Sequence, residues 1–200
     1  MIYVIGDSHA RSYYLRFQIN NIEIGPATAH NLINPNSKTQ SQQKIQKYMN
    51  EHGKDQKYVF LFGEIDCNVH FYYWYMKNNR TPPLRNYIVA TIKRYITFLK
   101  QLRQQGYTVA VLTIPPAGPQ KNIYRLKYFA SFPLRKEIYI YYNKKLKGYC
   151  RRNSIPVLDF FDKVADENNA LNMSLAKDDC HLKPDAVYLL LEELGRIGWV

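Results

Sequence analysis

Apolar residues in this chain fall into short unbroken runs, separated by polar stretches with helical spacing. The first run, Ile2 to Ile5, leads straight into Gly6-Asp7-Ser8-His9. That pattern is a buried strand, a tight turn and a helix start, with a first helix expected over residues 10–19 on Tyr14, Leu15 and Phe17. Ile22-Glu23-Ile24 is a short second strand closed by Gly25-Pro26, and the polar, Asn-rich 28–38 is a loop. A helix is expected from 41 to 51, with Gly53 just past its end. Tyr58 to Phe62 is apolar throughout, as in strands buried on both faces. Residues 64–83 carry no clear period and are expected to be irregular, with the aromatic run Phe71 to Tyr75 assigned to the core or to a pocket wall. From 85 to 105, Ile88, Ile92, Tyr95, Ile96, Leu99 and Leu102 share a helical face that stops at Gly106. Tyr107 to Ile114 and Ile155 to Phe160 are the fourth and fifth strands. One or two helices are expected between 122 and 152, interrupted near Pro133, and a last one from 184 to 196 with Pro184 in its first turn.

Strands alternate with helices, so the fold class is α/β, with a five-stranded parallel sheet between helical layers and right-handed crossovers. Sites in such folds lie at the carboxyl ends of the strands. Ser8, Gly25, the 63–66 segment and the 178–181 segment all fall there.

The length suits one domain over residues 1–200. No apolar stretch is long enough to span a membrane. The first strand begins at residue 2, which leaves no room for a secretory signal, and the expected location is cytoplasmic. Cys67, Cys150 and Cys180 suit a reducing compartment and lack zinc-ligand spacing. The net charge of +12 is uneven: ten Lys or Arg stand against one acid, Glu137, between Lys121 and Arg152. Tyr124, Tyr128, Tyr139, Tyr141, Tyr142 and Tyr149 are interleaved with them. A solvated helix face with its tyrosines packed inward is the ordinary explanation. An anionic partner at 121–152 is the functional alternative, although no nucleic-acid motif accompanies the charge.

Gly6-Asp7-Ser8 alone would be a helix-capping turn. Asp178-Asp179-Cys180-His181, just before the last helix, changes that reading. A nucleophilic serine needs a base to take its proton, and the base needs a carboxylate to fix its tautomer. An Asp and a His three residues apart can meet across a turn and face the loop that carries Ser8. Both Asp178 and Asp179 are candidate acids.

These segments resemble the blocks of the SGNH hydrolases, also called GDSL-type esterases and lipases. Gly6-Asp7-Ser8-His9 is similar to the first block, Gly25 to the glycine of the second, Gly63-Glu64-Ile65-Asp66 to the third and Asp178-Asp179-Cys180-His181 to the fifth. Phe62-Gly63-Glu64-Ile65-Asp66-Cys67 also resembles a branch whose third block is Phe-Gly-Glu-Ile-Asp-Cys-Arg. The resemblance implies a flavodoxin-like three-layer α/β/α sandwich and ester hydrolysis without metal or cofactor. It implies Ser8 as nucleophile, His181 as base and Asp178 as the orienting carboxylate. The N–H groups of Ser8 and Gly25 would form the oxyanion hole. Ile65 stands where the family has a hydrogen-bonding asparagine and Asn68 where the branch has arginine. Asn68 and His70 are the nearest side-chain donors. Asp7, His9, Glu64, Asp66 and His70 are expected to line the substrate site, and Cys67 and Cys180 to be small packing residues. The expected substrate is an acylated glycan or another oxygen ester. An acyltransferase with the same triad, or a non-catalytic binding protein on the same fold, are the alternatives.

Overall fold

The computed structural model describes residues 1–16, 18–121 and 125–200. Five strands form one parallel sheet in the order β2-β1-β3-β4-β5. They are β1 (Ile2–Gly6), β2 (Ile19–Glu23), β3 (Lys57–Leu61), β4 (Thr108–Leu112) and β5 (Val157–Leu158). β1 lies between β2 and β3, with Gly6 opposite Glu23 on one side and Leu61 on the other. The helices are α1 (Ser41–His52), α2 (Phe71–Lys77), α3 (Leu84–Gln104), α4 (Phe132–Arg152), α5 (Phe161–Val164) and α6 (Ala186–Arg196). With this strand order, right-handed crossovers put α1, α3 and α4 on one face and the 8–12 turn with α6 on the other. The result is an α/β/α sandwich. The chain reverses direction across the sheet between β1 and β3, which opens a crevice at the carboxyl end of β1.

The central strands are apolar because both faces are covered: Val4, Ile5, Phe60, Leu61, Val111 and Leu112 are all buried. No described helix is long and apolar enough to cross a membrane.

Several elements depart from the sequence pattern for identifiable reasons. The helix expected over 10–19 is only a 3-10 turn, Ser8–Ser12. Leu15 and Ile19 then pair through their backbones in both directions, at 2.9 and 2.8 Å, in a tight reversal that returns the chain to the sheet edge. Phe17 lies outside the described residues. β2 therefore starts at Ile19 and includes Asn20 and Asn21, poor strand formers held by the ladder with β1. Ile24, expected in the strand, still donates from its N–H to the Gly6 carbonyl at 2.9 Å.

The 64–83 segment is not irregular. It is helical from Glu64 to Lys77 and passes through a π-helical turn, Asp66–His70, before α2. Five consecutive aromatics, Phe71 to Tyr75, erase the apolar period that would have marked a helix, and the wide turn shifts its phase. Only Phe71 of that run is fully buried.

α4 is a single helix that Pro133 opens rather than interrupts. Residues 122–124, and Tyr124 with them, lie outside the described residues. β5 is short because Pro156 has no N–H to pair and the N–H groups of Phe160 and Phe161 turn to the Thr113 hydroxyl, at 2.8 and 3.1 Å. Pro184 falls in the turn before α6 rather than in its first turn.

Of the basic 121–152 residues, Lys121, Arg125, Lys127, Lys144, Arg151 and Arg152 are exposed. Lys145 and Arg152 lie over the rings of Tyr141 and Tyr149. Tyr139, Tyr142 and Arg135 instead point into the protein.

Candidate active site

Ser8 is placed by β1, which ends at Gly6, and by Asp7, whose carboxylate caps the Ser8–Ser12 turn by accepting the His9 N–H at 3.0 Å. His181 comes from the loop before α6, 173 positions further along the chain. The Ser8 hydroxyl lies 2.9 Å from His181 Nε2. His181 Nδ1 lies 2.9 Å from Asp178 Oδ2 and 3.1 Å from Oδ1. An ionised carboxylate only accepts, so Nδ1 carries the proton and Nε2 presents its lone pair to the Ser8 O–H. Asp178 Oδ1 also accepts the backbone N–H groups of Cys180 at 3.0 Å and His181 at 2.7 Å. Burial works to raise the Asp178 pKa, but these N–H groups and the imidazole outweigh it and hold the carboxyl well below the usual carboxylate range. Asp179, the other candidate acid, makes no such contact with the imidazole among the described residues. Its carbonyl instead rests on Gly118, where a Cβ would come within 1.8 Å of that oxygen. The 178–181 loop thus lies flat on the segment after β4, a packing only glycine permits.

Two further ties hold this loop to the turn that carries Ser8. The Ser12 hydroxyl donates to the Leu182 carbonyl at 2.7 Å. His9 Nε2 donates to the Cys180 carbonyl at 3.2 Å while its Nδ1 faces Asp7 Oδ1 at 3.0 Å. Both His9 ring nitrogens therefore point at acceptors, and satisfying both requires the doubly protonated imidazolium. Burial opposes that charge, but the carboxylates of Glu64 and Asp7 overcome it and raise the His9 pKa well above its ordinary value. Its ring lies 4.6 Å from that of His181.

A stability prediction follows from the raised value. His9 contributes its full stabilisation below its unfolded pKa of about 6.5 and loses it as the pH rises through the folded value. The melting-temperature gap between the wild type and His9→Leu is expected to be widest near pH 6 and to shrink steadily at higher pH. A gap that does not change with pH would mean that His9 is neutral.

The Ser8–His181–Asp178 hydrogen-bond chain borders a cavity of about 570 Å³ whose lining includes Ser8, His9, Gly25, Glu64, Ile65 and Asn68. Ser8 and Gly25 both border this cavity, and no backbone acceptor for the N–H of either is found among the described residues. Glu64 accepts from the Tyr139 hydroxyl at 2.7 Å, and its burial raises its pKa despite the opposing charge of His9. Three residues expected in the lining lie behind it. Asp7 is turned inward by its cap. Asp66 is fully buried and accepts the Ala29 N–H at 2.7 Å. His70 stacks on Trp74, with ring centroids 5.0 Å apart. The π-helical turn rotates Asp66 and His70 away from the cavity that Ile65 and Asn68 face.

The fold gathers ligand-type side chains that sequence spacing did not reveal. Atoms of His9, Cys180 and His181, and of Asp7, His9 and Glu64, come within 4.8 Å of one another. Both ring nitrogens of His9 are already committed to oxygen acceptors, and Cys180 Sγ lies 3.3 Å from the Nδ1 that serves Asp178. These groups form a hydrogen-bonded network in which His9 has no lone pair to offer a metal. Cys67 is buried as expected, whereas Cys180 is half-exposed in the cavity wall.

Comparison with solved structures identifies the architecture. A GDSL-like lipase from Bacteroides thetaiotaomicron VPI-5482 superposes with a TM-score of 0.67 at 14% identity, over 98% of this chain and 86% of that one. A member of the lipolytic G-D-S-L family from Veillonella parvula DSM 2008 gives 0.57 at 12% identity, over 98% and 97%. The fold is that of the SGNH hydrolases. A catalytic mutant of an acetylxylan esterase from Geobacillus stearothermophilus also shares it, with a TM-score of 0.58 at 12% identity over 100% and 95% of the two chains. No protein-family model matches the sequence, and no curated protein matches it.

On this SGNH framework, sequence reasoning missed Arg135, Tyr139 and Gln120. Arg135 and Tyr139 sit one helical turn apart on the inner face of α4 and reach Asn68 and Glu64. Their spacing with Tyr142, which donates to the Phe62 carbonyl at 2.9 Å, was the available signal. The basic character of the segment concealed it.

Proposed function

We propose that this protein is a serine ester hydrolase that removes a small acyl group, with acetyl as the first candidate, from a glycan or another oxygen ester. The observation that carries the reading is the Ser8–His181–Asp178 hydrogen-bond chain at a cavity that Ser8 and Gly25 border, with no acceptor for their N–H groups among the described residues. Ser8 Oγ attacks the ester carbonyl as its proton passes to His181 Nε2, and the Asp178 carboxylate stabilises the imidazolium. The carbonyl oxygen becomes an oxyanion held by the Ser8 and Gly25 N–H groups. The intermediate collapses, the ester C–O bond breaks and the departing alkoxide takes the proton from His181. Water then attacks the acyl-enzyme with His181 again as base, releasing the acid and free Ser8. The chain's own residues supply nucleophile, base and charge stabilisation, so no step calls on a cofactor. Acetylated glycans are put first by the shared fold of an acetylxylan esterase, with Gln120 and Asn68 as polar groups in a wall that is otherwise largely apolar.

The test is acetate release from an acetylated xylo-oligosaccharide and from a simple aryl acetate. Turnover that disappears in Ser8→Ala is expected on at least one of them. Appearance of the acetyl group on an added sugar, in place of free acetate, would reassign the enzyme as an acyltransferase. Absence of any Ser8-dependent turnover on either ester would refute the reading.

A further inference from the structure

Arg135 is buried, yet among the described residues its guanidinium donates only to neutral oxygens. Nη1 reaches Asn68 Oδ1 at 2.9 Å and Nη2 reaches the Gln120 backbone carbonyl at 2.6 Å. Nε has no partner among the described residues. The rings of Phe129 and Phe132, with centroids 4.8 and 5.6 Å away, offset part of the cost of the buried charge. Burying a cation without a carboxylate partner is expensive, and burial indeed lowers the Arg135 pKa. A neutral hydrophobic residue would fill the same space at lower cost. What the guanidinium does is decide which way the Asn68 amide faces.

A guanidinium has donors and no acceptors. The Asn68 oxygen must therefore face Arg135, and its NH2 must face the other way, toward Gln120 and the cavity that both residues line. One of the two hydrogens goes to Gln120 Oε1, and the second has no acceptor among the described residues. We propose that Arg135 is the positioning residue that makes Asn68 the side-chain donor of the oxyanion hole, in place of the amide that Ile65 cannot provide. This deepens, and rests on, the esterase reading. It explains why the position three residues after Ile65 carries an amide, and why α4 sends a charged side chain beneath the π-helical turn that carries it.

The decisive variant is Asn68→Asp. A carboxylate keeps the Arg135 contact and gives it an ion pair, so the fold is retained or strengthened, but both amide hydrogens disappear. Turnover of the aryl acetate by Asn68→Asp and by Asn68→Ala is expected to fall about 100-fold or more in kcat, with KM within about twofold of wild type. Arg135→Met frees the amide to rotate and is expected to lower kcat as well. The double variant Asn68→Ala/Arg135→Met should be no slower than Asn68→Ala alone, because Arg135 acts only through Asn68. If Asn68 serves merely to satisfy Arg135, Asn68→Asp will match wild-type kcat, and the proposal fails. Ser8-dependent turnover in wild type alongside a fully active Asn68→Asp overturns only the roles of Asn68 and Arg135. Loss of Ser8-dependent turnover in the wild type itself overturns the esterase reading and this proposal together. Because Asn68→Asp keeps its buried partner, the outcome does not depend on whether Arg135→Met folds.

Discussion

Alanine at Ser8 or at His181 is expected to lower kcat on the order of a million-fold and to abolish covalent labelling by a fluorophosphonate probe. Each substitution removes a member of a unit in which the nucleophile is inert without its base, so the losses are similar and the double variant is little worse than either single one. Stability should barely move. Among the described residues Ser8 Oγ bonds only to His181, at 2.9 Å, and the His181 ring is partly exposed. The turn is held by Asp7 and the 178–181 loop by backbone donors to Asp178, and both features survive the changes. Wild-type labelling should therefore map to Ser8 by mass spectrometry, with melting temperatures of both variants within a few degrees of the parent. Labelling that persists in folded Ser8→Ala would place the reactive nucleophile elsewhere.

Asp178→Asn is expected to cost about 10⁴-fold in kcat, and the local hydrogen bonds give the reason. In the native loop Oδ1 receives the N–H groups of Cys180 and His181, and Oδ2 faces the imidazole at 2.9 Å. An asparagine must keep its oxygen toward the two backbone donors, so its NH2 takes the place of Oδ2. His181 Nδ1 then has to accept, the proton moves to Nε2, and the nitrogen facing Ser8 no longer has a lone pair to act as base. The loop keeps its shape while the tautomer inverts. Asp179→Asn, which leaves all of these bonds in place, should lie within about twofold of wild type. A pH-rate profile and melting curve for each variant separate tautomer loss from unfolding. If Asp178→Asn retained kcat within tenfold, Asp178 would not be the orienting carboxylate.

Much of the site was legible as residue types in order. The Gly-Asp-Ser turn had to follow a strand because Ile2 to Ile5 is apolar and Gly6 ends the run. The Asp178 and His181 pair could only be local because three residues separate them. Their meeting with Ser8 was inferable from the parallel alternation, which sends every strand's carboxyl end to the same edge. The lining was less legible. Asp66 and His70 were expected in the cavity, but a π-helical turn with no sequence signature rotates them away. Asn68 and Ile65 face it instead.

The sequence by itself determined the strand set and the parallel α/β class, and it singled out Ser8, Asp178 and His181 as the candidate serine, acid and base. Each of these depends on short-range pattern: apolar runs, glycine stops and spacings of a few residues. Tertiary structure alone decided the rest. The sheet drew Asn20 and Asn21 into β2 against their propensity, because pairing with β1 outweighs the intrinsic preference of two polar residues. It set the 178–181 loop on Gly118, a contact that depends on the path of two segments about 60 residues apart. It turned Arg135, Tyr139 and Tyr142 of a basic helix inward, so that they donate to an amide oxygen, a carboxyl group and a backbone carbonyl. Charge in the sequence marks a residue as costly to bury. Which charge is buried, and what it then orients, depends on neighbours that only the fold supplies.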